Sequence, residues 1–466
     1  MDISFLQLAI IVATIAIVLG AGIWSSRSVR SAEGYSLGGR SAGVSLVAGS
    51  IAGTCVGGGA TVGTSQLAAS IGLSAWWFSI GSGVALIIMG LFYASPLRRT
   101  SLETISQYLL LNYGKPAGTF SSVVSSLGIL FSAVASTLPG IGILVALLGV
   151  PSWVAAIILM IMVAGYTFFG GMKSAGVGGI LKMAIIWVSL LISGGYAVYS
   201  LHSDPVAMSA IPDGWFSIFG ISTSSILVNL FSLIVGMLCT QSYIQAIFSA
   251  SNPRTASVGA FAAALIAIPV GLPCAYIGMY MQAVHPEVPA LLVLPTYLMN
   301  YQPVLLGSIA MGGIVLSLIG SIGGLSLGIA TMLSRDIVCR AFKIASVNKQ
   351  LLIARLLLLV VIACSAIIAI ANADSQILFW NYLSMALRGG GIFLPLTIAV
   401  FSPHAIEPHW AVASMFLSTG SAIAASIIGS PIHPLFIGLT VSLLLLIPGW
   451  ISNNNHHTDE PIPVEE

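Results

Sequence analysis

Arg388 is the residue whose chemistry most constrains this chain. It lies within the apolar stretch 376–401, close to where the midplane of a bilayer would fall. A cation at that depth costs roughly 2.5–3.5 kcal/mol on insertion scales, so it is kept only where something pairs with it. A guanidinium can hold a carboxylate through two parallel hydrogen bonds. The residue therefore predicts either a site for a carboxylate-bearing solute or a structural pairing with carbonyls of a broken neighbouring helix.

Two apolar stretches contain interruptions that a continuous membrane helix would not need. Gly57, Gly58 and Gly59 are consecutive, and each glycine costs a helix about 1 kcal/mol relative to alanine. A second stretch carries the polar run Thr-Gln-Ser-Tyr-Ile-Gln at 240–245. Unwound backbone at membrane depth is tolerated only where it is buried in protein or lines a cavity. Two interrupted helices at corresponding positions of two halves predict a transporter binding site between them.

The elements that carry these residues are membrane helices. The chain of 466 residues is 57% hydrophobic and 6% charged, with a formal net charge of +2. Such a composition excludes an ordinary soluble domain, and the small net charge gives no reason to expect nucleic acid as a partner. Apolar runs of about 20 residues span a bilayer as helices. We predict an all-α integral membrane protein with thirteen spans, at 5–24, 44–70, 75–95, 117–148, 152–169, 178–199, 224–249, 256–281, 304–333, 351–371, 376–401, 410–428 and 434–450.

The Lys and Arg residues predict the orientation. If successive loops alternate between the two sides of the membrane, all Lys and Arg residues of the loops lie on one side. The positive-inside rule identifies that side as the cytoplasm. The N-terminus is then outside the cell, and the polar tail 451–466 lies in the cytoplasm and is predicted to be disordered. We expect a multi-pass protein of the inner (cytoplasmic) membrane, surrounded by lipid, that is a monomer or a weak homo-oligomer.

One transmembrane transporter domain is predicted for residues 1–450. Within it, 44–200 and 222–402 form two core repeats of five helices each. An odd number of helices inverts the second repeat relative to the first. The three flanking helices are those at 5–24, 410–428 and 434–450.

Short motifs in this order resemble the sodium/solute symporter family, whose fold is the inverted repeat of the leucine transporter. The resemblance covers nearly the whole chain and implies that the first and sixth core helices are broken. It is carried by EGYSLGGR at 33–40, GGGATVG at 57–63 with Ala68, Gly72 and Trp76, Tyr166 with GGMK at 170–173, QSYIQ at 241–245 with Ala256, and ATMLSRDI at 330–337.

The resemblance implies a sodium ion between the first and eighth core helices. The matching positions are Gly53, Val56, Ser317, Gly320 and Ser321, and neutral oxygens of this kind suit a monovalent hard cation. One of them departs from the family pattern, since a second hydroxyl usually stands where this chain has Gly320.

The fifth core helix departs from the family as well. Gly178 and Gly179 replace a Thr-Asp pair that assists sodium in many relatives, so a second sodium ion is not expected. Lys182 follows them, and in sodium-independent members of the same broad fold a lysine on this helix places its ammonium where sodium would sit. The alternative is a lysine that extends from the end of its helix towards the membrane surface.

The expected solute site lies between the two broken helices. Tyr243 and Gln241 offer hydrogen bonds and Arg388 a charge, so we expect an organic acid or an amino acid. The substrate-binding candidates by position are Cys55, Ala60, Thr61, Gln241, Tyr243, Asn381 and Arg388.

Sodium-coupled symport of this solute by alternating access is the predicted function. The alternative is a sodium-independent or proton-coupled carrier in which Lys182 replaces the ion. A solute sensor that does not transport is a weaker possibility. A channel would need a ring of like residues or a repeated filter, and an enzyme would need paired acids, a His cluster or an activated nucleophile. The sequence has neither set, so we expect a transporter and no enzyme.

Overall fold

Long apolar helices, several of them interrupted, make up most of the chain. The computed structural model describes residues 3–458 except 26, 28 and 431, with side chains as far as 453. The first part of the chain forms α1 Phe5–Ser25, α2 Ala32–Leu37, α3 Val44–Cys55, α4 Thr64–Ile71, α5 Trp77–Ile88, α6 Ala94–Arg99, α7 Ile105–Leu148, α8 Ser152–Thr167, α9 Gly171–Ser203 and α10 Pro205–Ala210. Short helices of other types lie at Gly59–Gly63, Gly72–Trp76 and Met89–Tyr93.

The second part repeats this arrangement of long and interrupted helices. It forms α11 Thr223–Leu238, α12 Gln241–Ser249, α13 Pro253–Val284, α14 Val293–Asn300, α15 Val304–Met332, α16 Cys339–Ala341, α17 Val347–Ala371, α18 Ile377–Phe401, α19 Pro408–Ile428 and α20 Pro434–Thr458. Ala290–Leu292 and Leu333–Val338 are short 3₁₀ and π segments. Within the described residues the fold is all-α, as predicted.

Both predicted interruptions are present. α3 ends at Cys55, and Val56 has non-helical angles (φ −80°, ψ 84°) before the chain resumes a helix at Gly59. α11 ends at Leu238, and α12 leaves it at an angle of 47°. These are the first and sixth core helices, and both are broken. The prediction of two broken core helices is therefore confirmed.

The glycine triplet is required by close packing, since none of its three residues has a positive φ. A Cβ on Gly57 would lie 2.3 Å from Ser321 Oγ, and one on Gly58 would lie 2.6 Å from the carbonyl oxygen of Ala135. A Cβ on Gly59 would lie 2.7 Å from Asn381 Nδ2. The interrupted segment is therefore held against α15, α7 and α18 at distances that only glycine allows.

The number of spans differs from the prediction of thirteen. By length and hydropathy, ten helices in the described residues could cross a membrane, or eleven if the bent pair α11–α12 is one span. The predicted span 44–70 starts with the 12-residue α3, and the predicted span 152–169 contains the 16-residue α8. Both helices are too short to qualify alone, so the count of thirteen is not confirmed.

The C-terminal tail begins later than predicted. α20 continues to Thr458, so residues 451–458 are helical where disorder was expected. Residues 459–466 lie outside the described residues.

Candidate functional site

A small central cavity with about 20 Å³ of free space, enough for about one water molecule, lies between the two interruptions. α3 and α11–α12 contribute from one side, and α7, α15 and α18 from the other, with α5 closing the wall. No charged side chain lines it among the described residues. The lining consists of Thr54, Cys55, Gly57, Gly59, Phe78, Ser82, Ser132, Ser136, Met237, Tyr243, Ser321, Leu325, Asn381 and Met385.

Three of the predicted substrate residues, Cys55, Tyr243 and Asn381, line this cavity. Ser82 lines the same cavity as Cys55 and Tyr243. Ring packing of Tyr382 against Phe78, with centroids 6.1 Å apart, supports the α5 wall from outside. The tertiary structure thus brings residues from seven separate helices together around one small space.

Lys182 is buried beside the cavity. Its side chain on α9 is 0% exposed. The ammonium donates hydrogen bonds of 3.1 Å to the carbonyl oxygens of Val56 and Ser317. Because Val56 is the non-helical residue that follows the end of α3, its carbonyl is free of the helix ladder and is available to a cation. Lys182 therefore does not extend to the membrane surface.

Four of the five positions implied for sodium, namely Gly53, Val56, Ser317 and Gly320, lie beside the Lys182 side chain, and Ser321 follows Gly320 on the same helix. Ser317 Oγ donates to the carbonyl oxygen of Val56 at 2.5 Å, and Ser321 Oγ donates to that of Thr54 at 2.8 Å. A Cβ on Gly320 would lie 2.8 Å from Lys182 Nζ and 3.3 Å from the carbonyl oxygen of Gly53. The hydroxyl that this chain lacks at Gly320 would thus fall close to where the ammonium lies.

Arg388 is 1% exposed and does not line the cavity. Its Nε donates to the carbonyl oxygen of Gly236 at 2.9 Å, in the last turn of α11. Its Nη1 donates to Ser384 Oγ at 2.9 Å, and Ser384 in turn lies 2.7 Å from Ser132 Oγ, which does line the cavity. Among the described residues no carboxylate pairs with it. The guanidinium caps a broken helix and contacts the cavity through two serines.

Gln241, Ala60 and Thr61 do not line the cavity. Thr61 Oγ1 donates to the carbonyl oxygen of Gly57 at 2.9 Å within its own helix. Gln241 uses both ends of its amide on the backbone of the loop before α7. Its Nε2 donates to the carbonyl oxygen of Glu103, and its Oε1 accepts from the amide of Ile105, both at 2.9 Å.

That loop belongs to a second polar cluster, at the end of the molecule predicted to face the cytoplasm. Arg335 donates two hydrogen bonds to the Glu103 carboxylate, one of them at 2.9 Å from Nε, and Ser36 Oγ donates a third at 3.1 Å. Asp336 accepts from Thr104 Oγ1 at 2.8 Å. The cluster joins α2, α12 and the π segment that follows α15.

The sequence analysis did not select Ser82, Ser132 and Ser136, although all three line the cavity. Ser132 and Ser136 are four residues apart on α7 and therefore share a helix face. That spacing was a usable signal. However, serines are common in membrane helices, where they bond to their own backbone, and the pattern alone does not distinguish the two cases.

Comparison with known proteins identifies the family. The sodium:solute symporter family matches residues 35–417. The chain belongs to this family. The mouse high affinity choline transporter 1 is 24% identical over 474 residues, which cover 95% of this chain and 79% of that protein. The human protein is 25% identical over 371 residues, with 74% of this chain and 64% of its own length covered.

Further family relatives support the same fold. A sodium/glucose cotransporter from Vibrio parahaemolyticus is 26% identical over 224 residues, 46% of this chain and 39% of that protein. The solved structure of a Na⁺-coupled sialic acid symporter superposes with a TM-score of 0.81 at 17% identity, covering 97% of this chain and 98% of the other. The family and these relatives are membrane transporters, which confirms the expectation of a multi-pass transporter and no enzyme.

Proposed function

We propose that this family member is a secondary transporter that carries a small carboxylate-bearing solute through the central cavity by alternating access. We further propose that the Lys182 ammonium stands in for the coupling sodium ion. The observation that carries this is the pair of 3.1 Å hydrogen bonds from Lys182 to the carbonyl oxygens of Val56 and Ser317. An ammonium there satisfies the carbonyls that a sodium ion would otherwise bind.

The charge balance supports an anionic group on the solute. Lys182 and Arg388 are both buried, and among the described residues neither has a carboxylate partner. Buried charges are normally paired. A solute carboxylate in the cavity would supply the opposite charge, and Asn381 and Tyr243 provide hydrogens to bind it.

Sodium-coupled symport is the second candidate, and a specific arrangement favours it. The hydroxyls of Ser317 and Ser321 and the carbonyl of Val56 lie together at the α3 interruption, and family membership favours coupling to sodium. In this candidate Lys182 moves aside when the ion binds.

Uptake in proteoliposomes distinguishes the two. Radiolabelled carboxylates are offered to the wild type with an inward sodium gradient or with potassium in its place. We expect equal uptake in both conditions. The double variant Lys182→Gln with Gly320→Ser removes the ammonium and restores a hydroxyl, so its uptake should become sodium-dependent. Lys115→Gln, at an exposed position, serves as the control.

Wild-type uptake that requires sodium would overturn the lysine proposal and favour the second candidate. Uptake of neutral or cationic solutes in preference to carboxylates would overturn the proposed solute class.

A further inference from the structure

The four serine hydroxyls that line the central cavity are oriented by the protein. A serine has one hydrogen to donate and two lone pairs with which to accept. Where that hydrogen is given to a protein acceptor, only lone pairs remain for a bound solute. The hydrogen-bond geometry fixes the direction of this hydrogen for the four serines that line the cavity.

Two of the four form part of a chain that ends at the α3 interruption. Ser321 Oγ donates to the carbonyl oxygen of Thr54 at 2.8 Å, and Ser136 Oγ donates to Ser321 Oγ at 3.1 Å. Ser136 Oγ also accepts from the amide of Gly58 at 3.2 Å. The hydrogens of Ser136 and Ser321 are therefore both committed to the protein.

Ser132 is oriented through Ser384 and Arg388. Ser384 Oγ donates to the carbonyl oxygen of Gly128 and accepts from Arg388 Nη1 at 2.9 Å. Since Ser384 has no second hydrogen, the 2.7 Å contact between Ser132 and Ser384 must use the hydrogen of Ser132. The carbonyl of Gly128 only accepts and the guanidinium of Arg388 only donates, so together these two groups set the direction of this chain.

The fourth serine, Ser82, donates to the carbonyl oxygen of Phe78 at 2.7 Å. Four hydroxyl oxygens thus present lone pairs to the cavity, and the carbonyl oxygen of Asn381 adds a further acceptor. The hydrogens that remain for a solute belong to the Asn381 amide, the hydroxyls of Tyr243 and Thr54, and the Cys55 thiol.

We infer that the cavity selects a solute with hydrogen-bond donors beside its carboxylate, such as an α-amino or α-hydroxy acid, and rejects plain carboxylates. This rests on the proposed function and narrows it. Ser82, Ser132, Ser136 and Ser321 are the specificity-determining residues, and Arg388 is a positioning residue that acts on the solute through Ser384 and Ser132. A carboxylate without donors would leave these oxygens unpaired in a water-poor site, which is unfavourable.

Isosteric acids provide the test. Lactate, alanine and isobutyrate differ only in whether a hydroxyl, an ammonium or a methyl group stands beside the carboxylate. Hydroxyisocaproate, leucine and 2,4-dimethylpentanoate repeat the comparison at a larger size. Binding is read from the protection of Cys55, a cavity residue, against N-ethylmaleimide in reconstituted protein whose other four cysteines are alanine. Lactamide supplies a donor without the carboxylate.

We expect the amino or hydroxy acids of one size set to protect Cys55 at concentrations at least about tenfold lower than their methyl isostere, given the cost of unpaired acceptors. Ser82→Ala should weaken protection by the donor-bearing acids about threefold to tenfold, as for one neutral hydrogen bond, and leave the methyl isostere unchanged. Ser79→Ala is the control, because Ser79 lies on the same helix but faces α13.

Equal protection by the methyl isosteres, or none by any donor-bearing acid, would overturn the inference. Equal protection by lactamide and lactate would sustain the donor requirement and overturn only the carboxylate of the proposed function. Equal protection by isobutyrate and lactate would overturn the donor requirement and leave the carboxylate of the proposed function in place.

Discussion

Replacing Glu103 with glutamine should open the central cavity towards the side predicted to be cytoplasmic. The Glu103 carboxylate accepts two hydrogen bonds from Arg335 and one from Ser36, and the backbone of the same loop holds both ends of the Gln241 amide. These contacts fix α12, the second half of a broken helix, to the π segment that follows α15. We predict that access to the cavity from this side requires their separation.

The expected change in cavity opening follows from the strength of the Arg335–Glu103 ion pair. The side chains of Arg335 and Glu103 are 22% and 11% exposed, so the charges are largely shielded from water. A hydrogen bond to a charged group contributes about 1.5–3 kcal/mol, and the neutral amide of glutamine retains part of it. We expect a net loss of about 1.4 kcal/mol, which is a tenfold shift towards the open state.

Alkylation of Cys55 provides the assay. With the other four cysteines replaced by alanine, the rate of labelling by a membrane-impermeant maleimide added from the Arg335 side measures how often the cavity opens to it. Glu103→Gln should raise this rate about tenfold. Glu33→Gln is the matched control, because its pair with Arg40 is 2.8 Å long but more exposed, at 49% for the Glu33 side chain, and exposed pairs contribute little.

An unchanged labelling rate in Glu103→Gln, with Glu33→Gln also unchanged, would refute the reasoning. A rise of the same size in both variants would equally refute it, since it would indicate a general effect of surface charge rather than release of α12.

Two further predictions concern the interrupted helix and the buried arginine. Gly57→Ala should lower the free energy of unfolding by about 1–3 kcal/mol, because the new Cβ would lie 2.3 Å from Ser321 Oγ. The control is Gly20→Ala, since a Cβ on Gly20 has no neighbour within 4 Å. Equal melting curves of the two variants in detergent would contradict this prediction. Arg388→Gln should weaken the apparent affinity for an anionic solute about tenfold, as expected for loss of a charged partner, while the exposed Arg340→Gln leaves it unchanged; uptake measurements that give equal affinities for wild type and Arg388→Gln would show that the arginine is structural only.

The fold could be predicted because its signals are local. Apolar runs set the helices, and the breaks coincide with Gly57–59 and with the polar run at 240–245, where unwound backbone has to be buried or line a cavity. The number of spans could not be read in this way, because α3 and α8 are too short to cross a bilayer alone, and only their packing against neighbours shows where they belong.

The candidate site was predicted in part. Cys55, Tyr243 and Asn381 do line the cavity, since they lie at the breaks or opposite them. Gln241 does not, because its amide turns to the backbone of residues 103–105, a contact across 138 positions of the chain. No pattern within one helix specifies such a partner.

The sequence by itself determined that this chain is a bundle of membrane helices with two interruptions and one arginine, Arg388, at depth. These properties depend on composition and on the local spacing of residues, both of which are present in the sequence before the chain folds. Only the tertiary structure decided that the Lys182 ammonium meets the carbonyls of Val56 and Ser317, that Arg388 caps α11, and that four serines direct their lone pairs inward. Each of these depends on which groups from distant helices come within about 3 Å, the distance at which hydrogen bonds form.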